Sequence, residues 1–180
     1  MPTGSKAASR SPLQADAMLS HAALVSLAMR YLDAKGFRVM LAEPGFRKER
    51  PDAIGFSSGF SCLVECKATR RDFLKDQDKP FRKDPAKGVG TVRIYLTNPD
   101  VCTPDELPER WQLIEAADEN TLIVRKGAKG CLQMGLEWYF PEKDHKAEAD
   151  LLYSWAWRKL NGCLKEIPRT GRRLSIKEET

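Results

Sequence analysis

Pro51-Asp52-Ala53-Ile54-Gly55-Phe56-Ser57-Ser58-Gly59-Phe60-Ser61-Cys62-Leu63-Val64-Glu65-Cys66-Lys67 reads as two short strands joined by a tight turn. Ser57-Ser58-Gly59 supplies the turn residues, and β-branched and aromatic residues fill the flanks. Side chains alternate along a strand, so Ser61, Leu63, Glu65 and Lys67 share one face while Phe60, Cys62, Val64 and Cys66 share the other. With Ser58-Gly59 at the tip, residues whose numbers sum to 117 lie opposite one another, and Asp52 and Glu65 satisfy that sum. Directly opposed residues have Cβ atoms about 4.5–5.5 Å apart, and two carboxylates that close repel unless a cation lies between them.

Working outward, Ser11-Pro12-Leu13-Gln14 has the form of a capping box with proline at the first helical position. Met18, Ala22, Val25, Met29 and Leu32 then form an apolar stripe at helical spacing, which predicts a helix over Pro12 to Lys35 that stops at Gly36. Met1 to Arg10 reads as disordered. Phe37 to Glu43 reads as a strand and Pro44 to Arg50 as a loop. After the hairpin, Thr69-Arg70-Arg71-Asp72 opens a second helix, and Thr91 to Thr97 forms another strand. Trp111 to Ala116 and Thr121 to Arg125 flank an Asp118-Glu119-Asn120 turn. Ala147 to Leu160 is helical, and the last residues read as a basic, mobile tail. The expected organisation is a disordered 1–11, a core over 12–126, and a C-terminal extension over 127–180 whose own core would hold Trp138, Trp155 and Trp157.

The 180 residues carry a net charge of +5 and a pI near 9.0, which favours an anionic partner. Eight basic residues stand against four acidic ones between Lys67 and Lys87, and five against one between Lys165 and Lys177. No apolar run reaches the roughly 18 residues of a membrane span, and no secretory leader is seen, so a cytoplasmic protein without membrane contact is expected. Cys62, Cys66, Cys102, Cys131 and Cys163 have no CxxC pair and read as reduced thiols. With only His21 and His145 to assist them, a structural zinc site is disfavoured. The same histidine scarcity argues against HNH and HUH nucleases.

Phosphodiester hydrolysis with a divalent cation needs hard oxygen ligands, an activated water and a positive group near the developing charge. Asp52, Glu65 and Lys67 offer those parts. Pro51-Asp52 followed by Glu65-Cys66-Lys67 resembles the PD-(D/E)xK nuclease superfamily. Arg71-Asp72-Phe73-Leu74-x-Asp76, Phe81-Arg82-Lys83, Gly88-x-Gly90, Arg93-x-Tyr95 and Leu107-Pro108-x-x-Trp111 look like a phage and bacterial subgroup related to DNA-repair-associated nuclease-like proteins. The resemblance implies an α/β, restriction-endonuclease-like core: a mixed central sheet flanked by helices, here with a helical C-terminal extension. It also implies that Asp52, Glu65 and the main-chain carbonyl of Cys66 bind Mg2+, with Mn2+ as a substitute, and that Lys67 positions water or stabilises the transition state.

Many members of that superfamily place a glutamate on the first helix, and the helix predicted here has none. Glu43 is either the missing oxygen ligand or a surface glutamate at a strand end. His21 is read as a core-edge histidine. Arg70, Arg71, Lys75, Arg82 and Lys83 are the expected phosphate contacts. The expected function is metal-dependent DNA hydrolysis in phage or bacterial DNA metabolism, repair or defence, and cleavage of both strands would favour a homodimer. The alternatives are a catalytically silent module that binds nucleic acid or a host protein, and a mobile-element protein acting on host machinery by contact.

Overall fold

The computed structural model describes residues 18–44, 49–163 and 173–178. The expected disordered N-terminus and the Ser11 capping box lie outside these residues. Seven strands form one mixed sheet in the order of the chain: β1 (Val39–Ala42), β2 (Ala53–Ser57), β3 (Phe60–Lys67), β4 (Val92–Thr97), β5 (Gln112–Asp118), β6 (Thr121–Lys126) and β7 (Ser175–Glu178). β1, β2 and β3 are successively antiparallel, β3–β4–β5 run parallel, β6 is antiparallel to β5, and β7 is parallel to β6.

The hairpin turns as its sequence dictates. Gly59 takes the left-handed φ of +68°, and the pairs run from Ser57 opposite Phe60 to Ala53 opposite Val64. Asp52 therefore enters at the next position, beside Glu65.

Helix α1 (His21–Ala34) covers one face of the sheet, where Leu24, Ala28 and Leu32 pack with Val64, Cys66, Ile94 and Leu96. The predicted start is corrected: Met18 to Ser20 are not helical, and the Ser20 side chain caps the helix by accepting from Ala23 N–H. The opposite face is covered by α2 (Arg70–Gln77), α3 (Pro80–Lys83) and α4 (His145–Leu160), with Phe73, Tyr95, Trp111, Phe140, Ala147 and Leu151 at the centre of that layer. Thr69 caps α2 by accepting from Asp72 N–H.

The segment after 126 is woven into this body. Leu132 packs into the α1 layer and Leu151 into the opposite one, while Trp138 and Trp155 lie only half-buried against the two layers and Trp157 is exposed. The C-terminal tryptophans therefore do not form a core of their own. Nor does the chain end wholly in a tail, since Ser175–Glu178 forms β7 at the sheet edge.

Candidate active site

The centre of interest lies where β3 ends, on the α2 side of the sheet. Glu65 and Lys67 do share a face, and both are buried. Lys67 Nζ donates to Glu65 Oε2 at 2.7 Å and lies 3.6 Å from Asp52 Oδ2. Asp52 Oδ2 also accepts from Cys66 N–H at 2.7 Å, which ties the incoming chain to β3 beyond the last ladder pair. The hairpin thus brings Asp52, Glu65 and Lys67 together. The Cys66 side chain points the other way, into the α1 layer, so only the main chain of that residue is on the side of the carboxylates.

Two further elements complete the cluster. On α2, Phe73 and Asp76 are one helical turn apart and both buried, so a carboxylate occupies the position where the apolar stripe would continue. Asp76 Oδ2 accepts from Tyr95 Oη and from Arg82 Nε, each at 2.7 Å, while Oδ1 lies 3.2 Å from Lys67 Nζ and 2.5 Å from Lys79 Nζ. Arg82 is corrected as a phosphate contact: it is buried, with its guanidinium over the Trp111 ring. It bonds Glu49 Oε1 at 2.5 Å and reaches within 3.3 Å of Glu65 Oε1. Its charge is spent on three carboxylates inside the protein. Glu49 in turn accepts from Val89 N–H at 2.8 Å, which joins the segment before Pro51 to the segment before β4.

His21 and Glu43 stand at the rim. His21 Nε2 lies 3.5 Å from Asp52 Oδ1 and 3.7 Å from Glu43 Oε1. The histidine at the start of α1 is therefore exposed and faces Asp52 and Glu43, and the reading of it as a core-edge residue is corrected. Glu43 reaches this position from a left-handed backbone, φ +42°, while its N–H donates to the Asp52 carbonyl. Such a conformation is costly for a residue with a side chain and is held here by the surrounding structure.

The electrostatics follow from burial and pairing. Burial and the neighbouring Glu65 hold the Asp52 carboxyl above its ordinary range, although Lys67 and the Cys66 N–H work against them. Burial also raises Glu49, against the pull of Arg82. Asp76 moves the opposite way: burial would raise it, but Arg82 and Lys67 outweigh that and hold it well below the usual carboxylate range. Lys67 is desolvated too, yet Glu65, Asp76 and Asp52 keep it firmly protonated.

The hard oxygens of Asp52, Glu65 and Asp76 suit a divalent cation such as Mg2+ or Mn2+. Glu65 Oε1 is buried and makes no hydrogen bond, its nearest charge being the Arg82 guanidinium at 3.3 Å. Among the described residues no three His, Cys, Asp or Glu side chains are spaced as a ready metal cage, and Glu65 and Asp76 are bridged by side-chain cations.

The other expected phosphate contacts lie outside this cluster. Arg70 is engaged by Glu106 and the Val101 carbonyl. Arg71 and Lys75 are exposed one turn apart on α2, and exposed Lys83 lies 3.4 Å from Asp78. Glu49, Asp76, Lys79 and Tyr95 were not among the expected site residues. Of these, only Asp76 carries a local signal, a charged residue on the apolar face of a short helix.

No protein-family model and no curated protein sequence matches the chain. Among solved structures, a protein of unknown function from Silicibacter pomeroyi is similar in fold, with a TM-score of 0.55 and 20% identity over 77% of this chain and 85% of that one. That likeness agrees with the mixed α/β architecture. No helix among the described residues is long and apolar enough to cross a membrane.

Proposed function

We propose that the chain is a metal-dependent nuclease that hydrolyses phosphodiester bonds of DNA. The observation that carries the reading is the convergence of Asp52, Glu65 and Lys67, with Lys67 Nζ 2.7 Å from Glu65 Oε2 and 3.6 Å from Asp52 Oδ2. Asp52, Glu65 and Asp76 would hold Mg2+, with Glu43 and His21 at the rim. Such an ion supplies Lewis acidity and makes the water it holds more acidic. Lys67, kept charged by its three carboxylates, orients water and offsets negative charge that grows on the phosphate at the barrier. Asp76 and Arg82 fix Lys67 and Glu65 from the side away from the rim. Exposed Arg71, Lys75 and Lys83 would meet the phosphate backbone.

The test is incubation of the purified protein with plasmid, single-stranded DNA and RNA in Mg2+, Mn2+ or EDTA. DNA cleavage that needs the metal and is lost in Asp52→Ala and Glu65→Ala, with the fold intact, is the expected result. Wild-type rates in those variants would remove both carboxylates from the mechanism. One observation favours a second reading, a module that binds DNA without cutting: three side-chain cations, Lys67, Lys79 and Arg82, already contact the inner carboxylates. Metal-independent binding with no cleavage of any substrate would select it.

A further inference from the structure

We propose that Lys79 is an exchangeable internal cation, holding oxygens of Asp76 and Glu65 until a divalent metal ion takes them. The inference rests on the metal-dependent reading above and adds to it a competition inside the chain.

The three cations of the cluster differ in how they are held. The Lys67 and Arg82 side chains are 8% and 1% exposed, and each contacts three carboxylates. Lys79 is 41% exposed, with its ammonium 2.5 Å from Asp76 Oδ1 and 3.8 Å from Glu65 Oε2. Its backbone is fixed independently of its side chain. Lys79 N–H donates to the Asp76 carbonyl at 3.1 Å, and the Lys79 carbonyl accepts from Arg82 N–H at 3.0 Å. Only the side chain has to move for the ammonium to leave, and its long flexible stem ends at the surface.

Charge balance points the same way. With every group ionised, Asp52, Glu65, Asp76 and Glu49 contribute four negative charges and Lys67, Lys79 and Arg82 three positive ones, a balance of −1. When Lys79 swings out the cluster carries one more uncompensated negative charge, which favours another cation in its place. Keeping the ammonium in place relieves repulsion among carboxylates that the fold has forced together.

Mn2+ serves as the probe, with the free ion followed by electron paramagnetic resonance during titration of the full-length protein. Lys79→Gln should bind Mn2+ more tightly than wild type by up to about fivefold, the upper range for losing a partly exposed ion pair as competitor. Lys79→Arg, which keeps the charge, should stay near wild type, and Asp52→Ala should lose the site. In the unmodified protein, acylation of Lys79 mapped by mass spectrometry should rise severalfold with Mn2+, relative to Lys83. Equal or weaker Mn2+ binding in a folded Lys79→Gln protein overturns the proposal while leaving the metal site standing. So does Lys79 acylation unchanged by Mn2+. No Mn2+ binding in wild type or in folded Lys79→Gln would sink the metal-dependent reading itself, and the competition with it.

Discussion

Replacing Lys67 by methionine should destabilise the protein as well as disable the proposed cleavage. The ammonium lies 2.7, 3.2 and 3.6 Å from carboxylate oxygens of Glu65, Asp76 and Asp52. At an effective dielectric constant of about 20, the gross attractions are roughly 6, 5 and 5 kcal/mol. Desolvation of the ammonium offsets much of that sum, so the larger penalty comes from what methionine leaves behind: buried carboxylates short of one counter-charge. Removing one partner of a buried pair costs about 3–5 kcal/mol. For a protein of this size about 2–4 °C of melting temperature goes with each kcal/mol, which places the loss near ~10 °C. Calorimetric melts of Lys67→Met, Glu65→Gln and the double variant check this, because Glu65→Gln removes a charge that the lysine no longer balances. The double variant should recover at least about 1 kcal/mol relative to the sum of the singles. A single-variant shift under ~3 °C, or strict additivity, would show that Lys67 does not neutralise buried charge. Single-turnover cleavage well below the variant's melting temperature separates its chemical role from the stability loss.

Asp76→Asn should flatten the acid limb of the stability curve. The folded-state pKa of Asp76 lies below 3.8, so its contribution is full above that pH and is lost as the pH falls. Asp52 has the opposite sign, its raised pKa costing stability as the pH rises through 3.8, and melting temperatures between about pH 6 and 3 resolve the two. A variant with the wild-type acid slope would remove Asp76 from the linkage. Arg71→Glu with Lys75→Glu should weaken binding to all DNA sequences alike and lower the salt dependence by about two counterions, measured by fluorescence anisotropy; an unchanged slope would move the DNA surface elsewhere. Gly90→Ala should cost about 2 kcal/mol or more in denaturant melts, since φ is +94° and an added Cβ would lie 2.7 Å from Leu63 Cβ and 2.9 Å from the Val92 carbonyl oxygen. An unshifted midpoint would refute that strain.

The parts of the site legible in the sequence are those set by local rules. Alternation along β3 placed Glu65 beside Lys67, and the Ser58-Gly59 tip fixed a register that delivered Asp52 to them. What local rules missed comes from distant segments. Glu49 lies in a stretch that reads only as loop, and its role depends on Arg82, 33 residues away. Arg82 looked like surface charge because it sits in a basic run, while its burial is decided by carboxylates that arrive from three other segments. The start of α1 was misplaced because periodicity does not mark where a helix begins: Met18 fits the apolar spacing yet lies before the Ser20 cap. β7 escaped notice because Ser175–Glu178 has only one aliphatic residue, Ile176, and pairs with a strand some fifty residues earlier.

β3 is fastened by polar groups at both ends of one face. At its start Ser61 Oγ donates to Glu148 Oε1 at 2.6 Å and lies 3.0 Å from Lys143 Nζ, while at its end Glu65 and Lys67 meet the acidic cluster. A slip of one residue would turn Ser61, Glu65 and Lys67 into the oily layer beneath α1 and bring Cys62, Val64 and Cys66 against charged partners. The misaligned sheet would carry the Glu65–Lys67 pair into an apolar layer away from Asp52, Asp76 and Arg82, at a desolvation cost of several kcal/mol, and would take Ser61 from Glu148 and Lys143, which keep each other. The groups proposed to cut DNA therefore also act as an alignment key during folding. Apolar replacements at positions 61, 65 and 67 together should yield a protein that still collapses but samples more than one strand pairing.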